Sequence, residues 1–224
     1  MNPRSIDTRS TWSRRRFVAG CALGATAFVA PGAFAEALVR TPRMTEGPFY
    51  PDELPLDTDN DLLIVGDATS PAVGEVSRLS GRILGSDGRP LAGALVEIWQ
   101  VDRHGVYLHS GSQNAGRRDR NFQGYGRFET SSSGEYLFRT IKPVSYSGRA
   151  PHVHFAVTPR GGDKFITQCF VAGARENDGD FLLRRIADAR ARTSLIVPWE
   201  PVSGSDIGEL RARFDVVLGT TPAG

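Results

Sequence analysis

Among the four histidines of this 224-residue chain, two stand one residue apart, His152 and His154, in the stretch GRAPHVHF (148–155). Alternate side chains of a strand share a face, so the two imidazoles can reach a single point. Neutral imidazole is the commonest nitrogen ligand of transition metals, which makes metal binding the chemistry to test. A His-x-His pair by itself is more often satisfied or solvated than ligating, so its surroundings decide the matter. His104 and His109 lie upstream. His104 falls in an Asp-Arg-His-Gly turn, where a side chain is solvated. His109 follows Tyr107 by two residues and can share its face, as a neighbour of the centre rather than a ligand.

The residues around the pair must be placed by strands. From Leu79 onward, short runs rich in branched and aromatic residues alternate with turns: LSGRIL (79–84), the Asp-Gly turn of SDGRP (86–90), then ALVEIWQ (94–100). GRFET (126–130) and EYLFR (135–139) repeat that layout around a Ser-Gly turn, and HVHFAV (152–157), FITQCFV (165–171) and FDVVL (214–218) follow. Closely spaced strands of this kind predict an all-β fold, an antiparallel β-sandwich over 79–224. One short helix is expected in GDFLLRRIADAR (179–190), where Leu182, Leu183 and Ile186 fall at helical spacing. Residues 36–78, broken by Pro42, Pro48, Pro51, Pro55 and Pro71, predict an irregular N-terminal arm.

Five segments taken together resemble the intradiol ring-cleavage dioxygenases, non-haem iron(III) enzymes that open catechols between their hydroxyls. They are TEGPFYP (45–51), PLAGALVEIWQVDRHGVY (90–107), FRTIKPVSY (138–146), RAPHVHF (149–155) and ITQ (166–168). The resemblance spans almost everything from Thr45 to the last strand and implies the prealbumin-like sandwich of that family. It implies that Tyr107, Tyr146, His152 and His154 are the ligands of iron(III), Fe(3+), with catechol and O2 as substrates. The residue types agree, because phenolate is a hard, strongly donating anion that favours iron(III) over iron(II). Further implications are that Tyr146 yields its place when a catechol binds, that Arg149 stabilises negative charge on the ring, and that Gln168 lies near the substrate. Tyr125 and Tyr136 keep the ordinary reading of a core tyrosine with a bonded hydroxyl. Tyr50 is expected to line the substrate pocket. The resemblance leaves open a homo-oligomer or a second subunit, and PVSYS (143–147) departs from the proline-rich surroundings usual for the second tyrosine. A prealbumin-like binding module without catalysis would account for GRILGSDGRPLAGALV (81–96), but it has no need of Tyr146, Arg149, His152 and His154 together.

The first 35 residues read as an export signal of the twin-arginine type: SRRRF (13–17), an uncharged stretch, then Ala-Phe-Ala at 33–35. VAGC (18–21) also fits a lipidation motif at Cys21, though little apolar chain precedes it. Without residues 1–35 the chain carries 22 basic and 24 acidic residues. Its basic character therefore lies in the signal, and no nucleic-acid or anionic-membrane surface is indicated. The one remaining cysteine, Cys169, excludes an internal disulfide. The mature protein is expected in the periplasm or outside the cell, with no membrane association.

Overall fold

The computed structural model describes residues 38–219, except residues 56 and 67. The signal at 1–35 and Cys21 lie outside the described residues.

Two sheets face each other. The first is built on β1 (Val76–Leu84), which buries Ser77, Leu79, Gly81 and Ile83 and turns Arg78 and Arg82 to water. That alternation is what a strand with one buried face requires. Along one side β1 pairs antiparallel with β4 (Glu135–Ile141). Along the other side β9 (Leu210–Arg213) and β10 (Val216–Val217) follow one another in parallel register, and β8 (Glu200–Pro201) adds to β9. The second sheet has the order β3 (Tyr125–Glu129), β2 (Leu95–Trp99), β5 (His152–Thr158), β6 (Phe165–Val171), β7 (Ile196–Val197). Its long strands are antiparallel, and β7 joins β6 in parallel. The sandwich is thus antiparallel at its centre with parallel additions at the edges. Long connections allow this, such as the crossover through residues 172–195, because a parallel partner needs a dozen or more residues to return.

Leu79, Ile83 and Phe138 from the first sheet meet Val96, Ile98, Val153, Phe155 and Cys169 from the second, all fully buried. Tyr136 on β4 crosses to Phe155 at 5.7 Å between ring centroids, and its hydroxyl donates to the carbonyl of Phe214. Gly81 makes this contact feasible. A Cβ placed there would stand 1.9 Å from the Phe214 carbonyl oxygen and 2.9 Å from the Tyr136 hydroxyl. Gly81→Ala should therefore cost about 3 kcal/mol, since neither backbone nor a buried ring can yield cheaply. Urea unfolding checks this, and a loss below about 0.5 kcal/mol would mean that the strands part more easily than drawn.

The expected single helix is two. Asp180 caps α1 (Phe181–Arg184) by accepting from the amides of Leu182 and Leu183, and Asp188 caps α2 (Ala189–Ser194) through Arg190 and Ala191. A second capping aspartate eight residues after the first restarts the helix instead of continuing it.

β5 and β6 are buried on both faces. Val153, Phe155 and Val157 point into the sandwich, so His152, His154 and Ala156 point outward. The outward face is nevertheless dry, because the arm lies across it. Met44 N donates to Ile166 O at 2.8 Å, Thr167 Oγ1 to Pro42 O at 2.8 Å, and Thr41 exchanges bonds with Val217. Between arm and sheet a second apolar cluster forms from Trp99, Val101, Tyr107, Tyr125, Ala156 and Ile166, with Phe49 and Tyr50 against it.

Candidate metal centre

His152 and His154 leave β5 on the face covered by the arm, with their Nε2 atoms 3.2 Å apart. Tyr107 arrives from the loop after β2. Asp102, almost fully buried, shapes that loop by accepting from His104 N, Val106 N and Asp119 N at 2.8, 3.0 and 2.6 Å. Ser112 Oγ then accepts from Tyr107 N at 3.0 Å. The Tyr107 hydroxyl comes to 2.9 Å from His154 Nε2, 3.5 Å from His152 Nε2 and 3.0 Å from the Tyr146 hydroxyl.

Tyr146 and Arg149 are brought to the site by one tight turn. Ser147 and Gly148 have φ of 44° and 77°, and Arg149 N donates to Tyr146 O at 2.7 Å. Two consecutive left-handed residues make the primed hairpin turn, in which glycine is the easier occupant and serine the unusual one. The turn fixes the spacing of the second tyrosine and the arginine.

Arg149 is buried. Its Nε donates to Asp180 Oδ2 at 2.8 Å and its Nη2 to Gln168 Oε1 at 2.7 Å. Asp180 is fully buried and also accepts from the amides of Ala150, Leu182 and Leu183, each at 3.0 Å. Burial pushes its carboxyl up, but the Arg149 bond and the Leu183 and Ala150 amides together hold it below the usual range. One carboxylate thus caps α1 and aims the arginine. Gln168 passes the arrangement on, donating from Nε2 to Thr45 O in the arm at 3.3 Å.

His152 Nδ1 lies 2.6 Å from Ala150 O. A carbonyl can only accept, so the proton sits on Nδ1 and Nε2 presents a lone pair to the cluster. Trp99 stacks flat on His154, 4.7 Å between centroids at 11°, and Phe49 on Tyr107, 5.0 Å at 17°. Burial and then the Arg149 charge hold His152 down at about 4, and burial followed by the His152 charge holds His154 well below its usual value. Both rings are therefore neutral at pH 7. Unfolded imidazoles take a proton near 6.5, so the metal-free protein loses stability as pH falls from there to about 4. His152 alone should account for about 3 kcal/mol of that loss. Urea midpoints of metal-free protein across this window check it, and a flat profile would mean that the imidazoles are already solvated.

Burial, then the neighbouring Tyr146, pushes the Tyr107 hydroxyl well above its ordinary value, with Arg149 opposing. Without a cation in reach it stays a phenol. Donor atoms sharing one small cation at about 2 Å lie about 3 Å from each other, which is the spacing of the Tyr107 hydroxyl from the other three groups and of the two imidazole nitrogens from each other. Among the described residues no group of three or more histidines, cysteines, aspartates and glutamates is gathered for a metal. The two tyrosines are thus needed to complete a ligand set, and a set of two phenol oxygens and two imidazole nitrogens suits a hard, highly charged ion.

A family model described as Dioxygenase matches residues 45–220. The chain belongs to the intradiol ring-cleavage dioxygenase family. It is 32% identical over 168 residues to the protocatechuate 3,4-dioxygenase beta chain of Burkholderia cepacia, covering 71% of each. It is 34% identical over 175 residues to the 6-chlorohydroxyquinol 1,2-dioxygenase of Cupriavidus pinatubonensis, covering 69% of this chain and 58% of that one. Among solved structures it is similar to the dioxygenase domain of a dioxygenase carbohydrate-binding protein fusion from Streptomyces sp. SirexAA-E. That match has a TM-score of 0.62 and 27% identity, and covers 82% of this chain and all of that one.

In this intradiol dioxygenase the residues singled out by sequence do not all meet. Tyr107, Tyr146, His152 and His154 converge, and Arg149 and Gln168 line the adjoining cavity. Tyr50, expected at the pocket, is not among the lining residues. Its hydroxyl donates to Glu97 at 2.7 Å, its ring packs edge-on to Trp99, and Phe49 takes the place at the wall. A buried carboxylate attracts the one member of the Phe49–Tyr50 pair that carries a donor. Tyr125 gives Glu97 its second bond, at 2.6 Å. His104 is exposed, and the His109 ring accepts from Gly111 N while standing edge-on to Phe49. Asp180 and Asp102 were missed. Their sequence signals, an aspartate before a helix and one before a turn, are those of ordinary caps.

Proposed function

We propose that the chain is an iron(III) dioxygenase that opens a catecholic ring between its two hydroxyls with O2, giving a muconate-type diacid, and that it is exported by the twin-arginine route. The observation that carries the enzymatic reading is the meeting of two phenol oxygens and two imidazole nitrogens, with the Tyr107 hydroxyl 2.9–3.5 Å from the other three groups and the two imidazole nitrogens 3.2 Å apart. A binding module with this sandwich has no use for that arrangement.

Tyr107, Tyr146, His152 and His154 would hold the iron. When bound it would supply a Lewis acid and a template on which a catechol and O2 meet. The chain's own residues do the rest. Tyr146 is the half-exposed member of the four and lines the cavity, so its oxygen is placed to take the proton of an incoming catechol hydroxyl. Arg149, held from behind by Asp180 and Gln168, supplies a fixed cation to negative charge on the ring. Its direction is set before the substrate arrives, so little reorganisation is needed. Phe49, Pro48 and Gly47 cover the centre from the arm and keep water from it.

Purified protein loaded with iron should be coloured by charge transfer from tyrosinate to iron(III). It should consume one O2 for each catechol converted to a ring-opened diacid, as read by an oxygen electrode and product NMR. Folded protein that stays colourless and inactive with iron supplied would leave the binding module standing. Export is supported by the residues at 13–35, and fractionation of cells producing the full chain tests it: the protein belongs outside the cytoplasm, and Arg14→Lys with Arg15→Lys should retain it inside.

A further inference from the structure

We propose that the substrate is a catechol carrying an anionic arm, and that Arg185, with Arg43 lining the same cavity, holds the terminal carboxylate of that arm. The inference rests on the dioxygenase reading and narrows its substrate.

The cavity beside the metal centre has a volume of about 560 Å³. That lies in the range of pockets that enclose drug-sized ligands, and a single dihydroxybenzene ring leaves much of it unused. Beside the metal centre its lining is polar, from Tyr146, Arg149, His154 and Gln168. Met44 of the arm and Phe181, Leu182 and Ile186 of the helical segment add apolar lining. Phe181 is 54% exposed and is the one aromatic among the large apolar side chains exposed in the described residues. Its ring carries two guanidiniums, Arg149 at 5.4 Å and Arg185 at 5.7 Å, and so links the arginine beside the metal centre to the second one.

Charge completes the pattern. Among the described residues three arginines line the cavity, and no aspartate or glutamate does. Arg149 is already matched by Asp180 at 2.8 Å. Arg185 has no carboxylate partner among the described residues, and its guanidinium rests over the Phe181 ring at 5.7 Å. Among the described residues Arg43 bonds only a carbonyl, Lys164 O at 3.1 Å, and it sits over Phe165 at 5.1 Å. Glu46, three residues after Arg43 in the arm, pairs instead with Lys164 at 3.6 Å. A ligand complementary to this lining has two hydroxyls at one end, an apolar middle and a negative charge at the other end. Guanidinium binds a carboxylate through a planar pair of donors, which makes arginine the residue suited to read that end.

Oxygen uptake by the iron-loaded full chain should be compared on catechol, 3-(3,4-dihydroxyphenyl)propionate and the methyl ester of that acid, with dissociation constants from anaerobic titration of the visible band. The acid should be preferred to its ester by about tenfold in kcat/KM, the scale of one charged hydrogen-bonded contact. That preference should shrink as salt is raised. In Arg185→Gln the acid-to-ester ratio should fall towards one, with KM and the dissociation constant carrying the change. Arg185→Lys should keep part of it, and Arg43→Gln should lower it less. Equal handling of acid and ester by the unaltered protein, or an unchanged ratio in Arg185→Gln, would overturn the inference and leave the dioxygenase reading intact. The unaltered protein decides this even if a variant fails to fold. If no catechol is turned over, the dioxygenase reading goes, and this inference with it.

Discussion

Tyr107→Phe should abolish both colour and iron binding. The hydroxyl removed lies within 3.0 Å of both Tyr146 and His154, so it is the oxygen shared by the whole cluster. Loss of an outer-sphere partner typically costs 10–100-fold in metal affinity, and loss of an anionic ligand should exceed about 100-fold. Turnover should fall with it to the background of free iron. The fold should survive, because a phenyl ring fills the same space against Phe49, and the metal-free stability should change by about 1 kcal/mol or less. Iron content by mass spectrometry, the visible spectrum and urea unfolding separate these effects. Retained iron and colour would remove Tyr107 from the centre.

Asp180→Asn should be the most damaging change outside the ligands. It leaves the Arg149 guanidinium buried without its counter-charge, and breaking a buried pair from one side costs about 3–5 kcal/mol. It should also lower kcat about 100-fold per bound iron, because the cation is no longer aimed at the ring. The two losses can be told apart. If Asp180 only caps α1, the variant unfolds more easily, yet each folded, iron-loaded molecule turns over at the normal rate. A positioning role predicts that the rate stays low even where folding is complete, and that Asp180→Glu restores part of it.

The pattern of strands and the shared face of His152 and His154 were readable in the sequence for a physical reason. Period-two alternation marks strands directly, and His152 and His154 announce a shared face by spacing alone. What escaped depends on contacts between distant segments. Asp180 meets Arg149 across 31 residues, and nothing local distinguishes it from Asp188, which also caps a helix. Of the pair Phe49 and Tyr50, the tyrosine looked the better pocket residue, but the unforeseen burial of Glu97 on β2 draws its hydroxyl away. The parallel pairings of β7, β9 and β10 were equally hidden, since short strands reveal their burial but not their direction.

β5 is buried on both faces, with apolar side chains turned to the sandwich and histidines turned to the centre. A saturation scan along it should therefore give two interleaved profiles. Changes at 153, 155 and 157 should lower the yield of soluble protein while sparing the activity of each surviving molecule; changes at 152 and 154 should do the reverse. The ribbon would behave as two genetic loci written in alternating letters, and a single inserted residue would exchange their contents.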